Sequence, residues 1–268
     1  MLSQPDWHSV RDFQKFGRPK YAFLITAGNI DSMVAHYTAA KKLRHDDAYT
    51  AGGKHGKRPD RAVNVYTRLA KEAYPDCPVI LGGLEASLRR FAHYDYWDDA
   101  IRPSALVDSG ADLLIYGMGE KPIVELVQQM KNQLSTKESP LTGNELKKIA
   151  AGIPQIAYLS RASEWTPAED DIQLYSHEEC LADKKKQASN FRHIEEESNK
   201  YAASRITQAV DNKIVVVNPP YPPMSQEELD HAFDLPYTRL PHPKYKGKRI
   251  PAYDMIKLSL IHISEPTR

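Results

Sequence analysis

The sequence predicts an α/β fold, a mostly parallel sheet flanked by helices. Two glycine turns and one amphipathic helix carry that reading. Val79-Ile80-Leu81 runs into Gly82-Gly83, with Glu85 just beyond. Leu113-Leu114-Ile115-Tyr116 runs into Gly117-Met118-Gly119, with Glu120 next. Short runs that are apolar throughout suit strands buried on both faces. Between and beside them lie helix-spaced stripes, of which Ala62, Val65, Tyr66, Leu69 and Ala73 form the clearest.

Glycine lets the backbone turn sharply and come close to a ligand. In open α/β sheets, ligands sit beyond the carboxyl ends of the strands. Two glycine turns on neighbouring strands therefore face one site, unless both are ordinary strand-to-helix turns. A third candidate strand, Tyr21 to Thr26, ends in Ala27-Gly28-Asn29, and Asp31 then opens a helix expected over Ser32 to Lys42. The candidate binding residues are Gly28, Asn29, Gly82, Gly83, Glu85, Gly117, Gly119 and Glu120. Glu120 is either a favourable anion at a helix start or a holder of a ligand hydroxyl.

Before the first strand, Asp6 is expected to cap a short helix burying Val10, Phe13 and Phe16, stopped at Gly17-Arg18-Pro19. Residues 43–60 form a long polar stretch, read as a solvated loop or a basic lid over an anionic ligand. His45, Asp46 and His55 are metal-ligand types, but nothing in the spacing fixes their geometry, and no metal site is assigned. Ser87 to Asp99 mixes arginines, acids and aromatics beside a glycine turn. It either lines a pocket or packs with its charges solvated.

Pro122 fits the first turn of a helix whose stripe is Ile123, Leu126, Val127, Met130 and Leu134. A Ser/Thr/Pro/Gly linker covers 135–143. Glu145 to Ala151 reads as a helix and Gln155 to Leu159 as a strand. The charged stretch from Ser176 to Val210 reads as a partly amphipathic helix through Phe191, Ile194, Tyr201 and Ile206. Lys213 to Asn218 is a strong strand signal. Pro219-Pro220-Tyr221-Pro222-Pro223 is rigid and extended. Ser225-Gln226-Glu227-Glu228 is a capping box that opens a helix through Phe233. Residues 234–253 are too rich in proline for a helix and read as a connector that packs on something else, or as a tail.

The 36 basic and 35 acidic residues balance to a formal net charge of +1, which argues against nucleic acid as the main partner. No apolar run reaches the roughly 20 residues of a membrane span, and no secretory pattern opens the chain. The two cysteines, Cys77 and Cys180, make neither a disulfide framework nor a metal cage, so a cytoplasmic setting is expected. The turns are not Gly-x-Gly-x-x-Gly, and no phosphate-loop Gly-Lys-Ser/Thr is present, so standard NAD and ATP sites are not expected.

Several segments, in order, resemble the amino-terminal half of YgiQ-type radical SAM proteins. They include Gln4-Pro5-Asp6-Trp7, Thr26 to Met33, Arg44 to Tyr49 and Gly56 to Arg61. Gly82 to Arg90, His93 to Trp97, Val217 to Pro220, Leu235 to Tyr237 and Ile250 to Ile256 continue the series. The resemblance implies a Rossmann-like, cobalamin-binding-like amino-terminal domain over 1–135, its first strand expected to be missing. A linker and charged helical segment would cover 136–212, and a connector towards a radical SAM barrel 213–257. It implies a [4Fe-4S] cluster and S-adenosylmethionine in the intact parent, bound by a Cys-x-x-x-Cys-x-x-Cys motif that Cys77 and Cys180 do not match. Residues 258–268 do not continue the family pattern and resemble translated sequencing-adapter DNA, so a non-native tail is expected. The expected role is substrate or accessory-cofactor binding and packing on the barrel of the same parent, without radical chemistry by this chain alone. The alternative is a stand-alone module for a nucleotide or cobalamin-like ligand.

Overall fold

The computed structural model describes residues 1–135 and 141–264, with side chains described through residue 257. The expected linker residues 136–140 and the last four residues of the expected tail lie outside the described residues.

In chain order the elements are α1 (Arg11–Gln14), β1 (Phe23–Ile25), α2 (Ser32–His36), α3 (Ala62–Ala73), β2 (Val79–Leu81) and α4 (Gly83–Leu88). Next come β3 (His93–Asp95), β4 (Ala100–Arg102), α5 (Ala105–Ser109), β5 (Leu113–Ile115), α6 (Glu120–Ser135) and α7 (Gly143–Ala151). The rest are β6 (Ile156–Arg161), β7 (Ile172–Leu174), α8 (His177–Ala182), α9 (Lys184–Ser198), β8 (Ile206–Val210), β9 (Lys213–Val217), α10 (Gln226–Asp234) and α11 (Pro251–Ser264).

One seven-stranded sheet runs β1-β2-β5-β6-β9-β8-β7, and β3 and β4 form a separate hairpin. The first three strands are parallel, with Leu24 opposite Ile80 and Leu81 opposite Leu114. From β5 onward the sheet is mixed: β5-β6, β6-β9 and β9-β8 are antiparallel, and β7 runs parallel to β8. Strands from both sides of residue 135 thus share one sheet. The two-residue turn between β8 and β9 places Asp211 at φ 50°.

Side chains alternate across the central strands, so each face has its own core. Val79, Leu81 and Leu114 pack with Val63, Tyr66, Leu69 and Leu106 of α3 and α5 on one face. Ile80, Leu113 and Ile115 pack with Leu126, Met130, Leu146 and Ile149 of α6 and α7 on the other. The amphipathic stripes of α3 and α6 therefore bury as their spacing predicts.

Several local expectations fail, each for a physical reason. The helix from Ser32 stops at His36, because Tyr37 turns extended and pairs with Leu43 across a turn with Lys41 at φ 56°. Asp6 does not cap α1; its carboxylate accepts from the His8 backbone N–H at 3.1 Å, and Phe16 is exposed while Phe13 is buried. The charged stretch is not one helix. Asp183 breaks it between α8 and α9, Tyr201 and Phe191 are exposed, and Ile206 begins a strand. In the 43–60 stretch, expected as a solvated loop or a basic lid over an anionic ligand, Arg58 does not face a ligand: it is buried in a two-bond pair with Asp47.

The proline-rich region 234–253, expected to hold no helix, enters α11 at Pro251, since proline fits a helix's first position; before that it is tied to the amino terminus. Tyr245 shares hydroxyl contacts with Ser3 and Gln4, and the Lys244 ammonium donates to the Ser3 and Gln4 carbonyls at 3.0 and 3.1 Å. At the next turn the Gly52 N–H donates to the Arg249 carbonyl at 2.6 Å, and the Ala252 N–H to that of Ala48 at 2.8 Å.

Candidate ligand-binding groove

Three strand ends meet at one edge of the sheet. β1, β2 and β5 are adjacent and parallel, so the turns at Gly28, Gly82-Gly83 and Gly117-Gly119 leave from the same side. The glycines are required there. Gly83 sits at φ +80°, and a Cβ on it would stand 2.3 Å from the Thr26 hydroxyl oxygen. Gly117 sits at φ +65° with a would-be Cβ 3.3 Å from the Gln155 side-chain nitrogen. That nitrogen donates to the carbonyls of Tyr116 and Met118 at 2.7 and 2.5 Å, which fixes the loop between the two glycines.

Beyond this edge lies a groove of about 1170 Å³. Its floor is Leu24, Ile25, Thr26, Ile80, Leu81 and Ile115 with Gly82, Gly83, Gly117 and Gly119. Ile123, Val124, Glu125 and Gln128 of α6 form one wall, and Glu228, His231 and Ala232 of α10 another. Tyr221, Met224, Leu235 and Tyr237 complete it. The walls are bound to each other: Lys121 pairs with Glu228 at 2.7 Å, and the Tyr221 hydroxyl donates to Glu125. Burial, then that contact with a carboxylate, pushes the Tyr221 phenol upward, so it stays a neutral donor. A mostly apolar groove with few polar groups on a rigid edge is the usual form of a small-molecule site.

Of the eight residues expected from the sequence, Gly82, Gly83, Gly117, Gly119 and Glu120 line the groove, the last as the first residue of α6. Gly28, Asn29 and Glu85 do not. Gly28 turns towards Arg58, and Asn29 is exposed. Glu85 is buried, and its carboxylate takes the backbone N–H groups of Ser32 at 2.7 Å and Val63 at 3.1 Å. It holds the starts of α2 and α3 on α4. The Ser87–Asp99 cluster also stays outside the groove: Arg89 pairs with Asp31, Arg61 with Asp95 and Asp98, and Arg102 with Asp98 and Asp108. The wall from α10 and its flanks was missed. The capping box at Ser225 predicts α10 itself, but neither it nor the rigid prolines around Tyr221 and Leu235 say what they pack against.

His45 and Asp46 are exposed, and His55 lies instead beside His36. Among the described residues, no group of three or more His, Cys, Asp or Glu side chains could hold a metal ion. Among them, no helix is long and apolar enough to cross a membrane.

The fold and its edge groove define an α/β domain that presents glycine turns at the carboxyl ends of parallel strands. The chain belongs to the Radical SAM N-terminal family, which it matches over residues 1–259. It is 70% identical over 261 residues to a UPF0313 protein of Bacteroides thetaiotaomicron, covering 97% of this chain and 42% of that protein. A UPF0313 protein of Porphyromonas gingivalis is 53% identical over 262 residues, with 97% and 40% covered. One of Geobacter sulfurreducens is 45% identical over 260 residues, with 97% and 41% covered. The chain thus spans about two-fifths of the length of these relatives. No solved structure matches it.

A [4Fe-4S] cluster with S-adenosylmethionine is the group the family implies. Cluster iron is held by thiolates. The two thiols here, Cys77 and Cys180, are buried, and burial pushes both thiols upward, away from the thiolate. The Cys180 sulfur is engaged by Asn190 at 3.1 Å. The residues present do not fit the cluster, and no step is routed through it.

Proposed function

We propose that this chain is the scaffold domain of a radical SAM protein, whose edge groove receives the substrate or an accessory cofactor and whose surface packs on the catalytic barrel. The groove of about 1170 Å³ at the ends of β1, β2 and β5 carries the reading. Its size suits a ligand of cofactor dimensions, and the glycine turns at the edge of its apolar floor admit one closely. Exposed Leu84 and Leu88, one turn apart on α4, and exposed Met118 in the Gly117–Gly119 turn, which Ser87 of α4 holds through the Gly117 N–H, supply the apolar surface for packing. The same groove supports the second reading, a module that binds its small ligand without the barrel.

Titration of the 268-residue chain with cobalamin, S-adenosylmethionine and adenine nucleotides tests the ligand half. One of the three is expected to bind, and Val124→Trp, which fills the groove from an exposed position on α6, is expected to weaken it at least tenfold without loss of stability. Equal binding by the filled variant, or failure of all three probes, overturns the ligand half. Hydrogen exchange on the longer Bacteroides relative tests the packing half. Amides matching Leu84–Leu88 and Met118 are expected to exchange more slowly there than in this chain; equal rates overturn it.

A further inference from the structure

We propose that His36 and His55 form a site for a divalent transition-metal ion of the zinc type, with Asp60 as its outer-sphere support. His36 closes α2 and is 2% exposed. Its Nδ1 lies 2.7 Å from an Asp60 oxygen, and the other Asp60 oxygen accepts from the Tyr37 hydroxyl at 2.7 Å. A carboxylate only accepts, so Nδ1 carries a proton, and in the neutral ring Nε2 then offers a lone pair. That Nε2 is buried and has no hydrogen-bond partner. The neighbouring ring is His55, whose Nδ1 is also buried and without a partner.

The two ring centres are 5.2 Å apart with planes at 68°. Imidazoles that share one tetrahedral ion at metal–nitrogen distances of about 2.0–2.1 Å have centres about 5 Å apart. A carboxylate behind one imidazole is the arrangement that orients metal-binding histidines and raises their basicity. Imidazole donors suit zinc and its neighbours in the first transition row. Two protein donors leave the remaining positions to water. Buried polar atoms are nearly always satisfied, and a bound ion accounts for both orphans at once.

The test is calorimetric titration of the 268-residue chain with zinc chloride in chelator-free buffer, together with nitrogen-detected histidine spectra. One ion per chain is expected, with the largest shifts at His36 Nε2 and His55 Nδ1. Half-buried His55→Gln is expected to weaken binding at least tenfold with an unchanged circular-dichroism spectrum, and Asp60→Asn by about 10–100-fold. Should His36 variants fail to fold, His55→Gln and the wild-type spectra still decide. No zinc binding below millimolar concentration overturns the proposal and leaves water as the bridge. Wild-type affinity in His36→Gln/His55→Gln also overturns it, by placing the ion elsewhere.

Discussion

The hydroxyl of Ser87 joins the two glycine turns: it donates to the Gly83 carbonyl at 2.8 Å and accepts from the Gly117 N–H at 3.1 Å. One side chain on α4 thus sets the spacing of the β2 and β5 turns. Ser87→Ala removes both contacts. A loss of about 0.5–1.5 kcal/mol is expected in urea unfolding, with faster exchange of the Gly117 amide. Unchanged exchange at Gly117 would show that the turns hold their spacing without it.

Gly83 meets Thr26 across the first two strand ends. A methyl group at Gly83 would overlap the Thr26 hydroxyl, and its φ of +80° strains any other residue. Gly83→Ala is expected to cost about 1–3 kcal/mol. In a Thr26→Ala background part of that cost returns, and a double-mutant cycle measures the coupling. Additive costs would place the penalty in the backbone alone.

Asp47 and Arg58 are both buried and joined at 2.8 and 2.9 Å, with the Thr50 hydroxyl donating to Asp47 as well. Burial raises the Asp47 carboxyl, but the hydrogen bonds and charge of Arg58 outweigh it and hold the pKa below the ordinary value. Removing one partner leaves an uncompensated buried charge. Arg58→Met is expected to destabilise by about 3–5 kcal/mol, read from chemical denaturation. Arg58→Lys does not restore it, because lysine cannot make the two-bond fork or reach the Ala27 carbonyl as Arg58 does at 3.3 Å.

Acid sensitivity should appear above the carboxylate range. Burial pushes the His93 imidazole down to about 4, with its contact to the Phe91 carbonyl opposing. The unfolded chain titrates near the ordinary 6.5, so between those values it binds more protons than the fold. Stability is therefore complete above about 6.5 and falls as pH drops towards 4, by at most ~3 kcal/mol. The lowered Asp47 carboxyl acts only further down, below its unfolded value of 3.8. His93→Gln is expected to flatten the slope between pH 6.5 and 4; an unchanged slope would assign it to another group.

The first half of the sheet was legible because its strands are apolar on both faces and end in glycine. Leu81 and Leu114 declare burial, and Gly83 and Gly117 declare the turn. The second half was harder. Ile206 follows a charged helix, and the strand it begins is stabilised by β9 and β7, which no local pattern reveals. Glu85 looked like a ligand group because an acid after a glycine turn fits one. The structure gives both its oxygens to backbone amides brought from 53 and 22 residues away. The capping-box spacing of Ser225 and Glu228 made α10 legible, but its place beside Tyr221 as a groove wall depends on tertiary packing of the proline-rich connector, which no local pattern reveals. His36 and His55 are 19 positions apart, outside any local ligand motif.

Anaerobic reconstitution of this chain with iron and sulfide tests the central claim, a scaffold domain without cluster-binding thiols of its own, most directly. The account predicts no stoichiometric iron–sulfur absorbance and no reductive cleavage of S-adenosylmethionine, while the longer Bacteroides relative gains both. One four-iron cluster per chain here, with cleavage of S-adenosylmethionine, would contradict it.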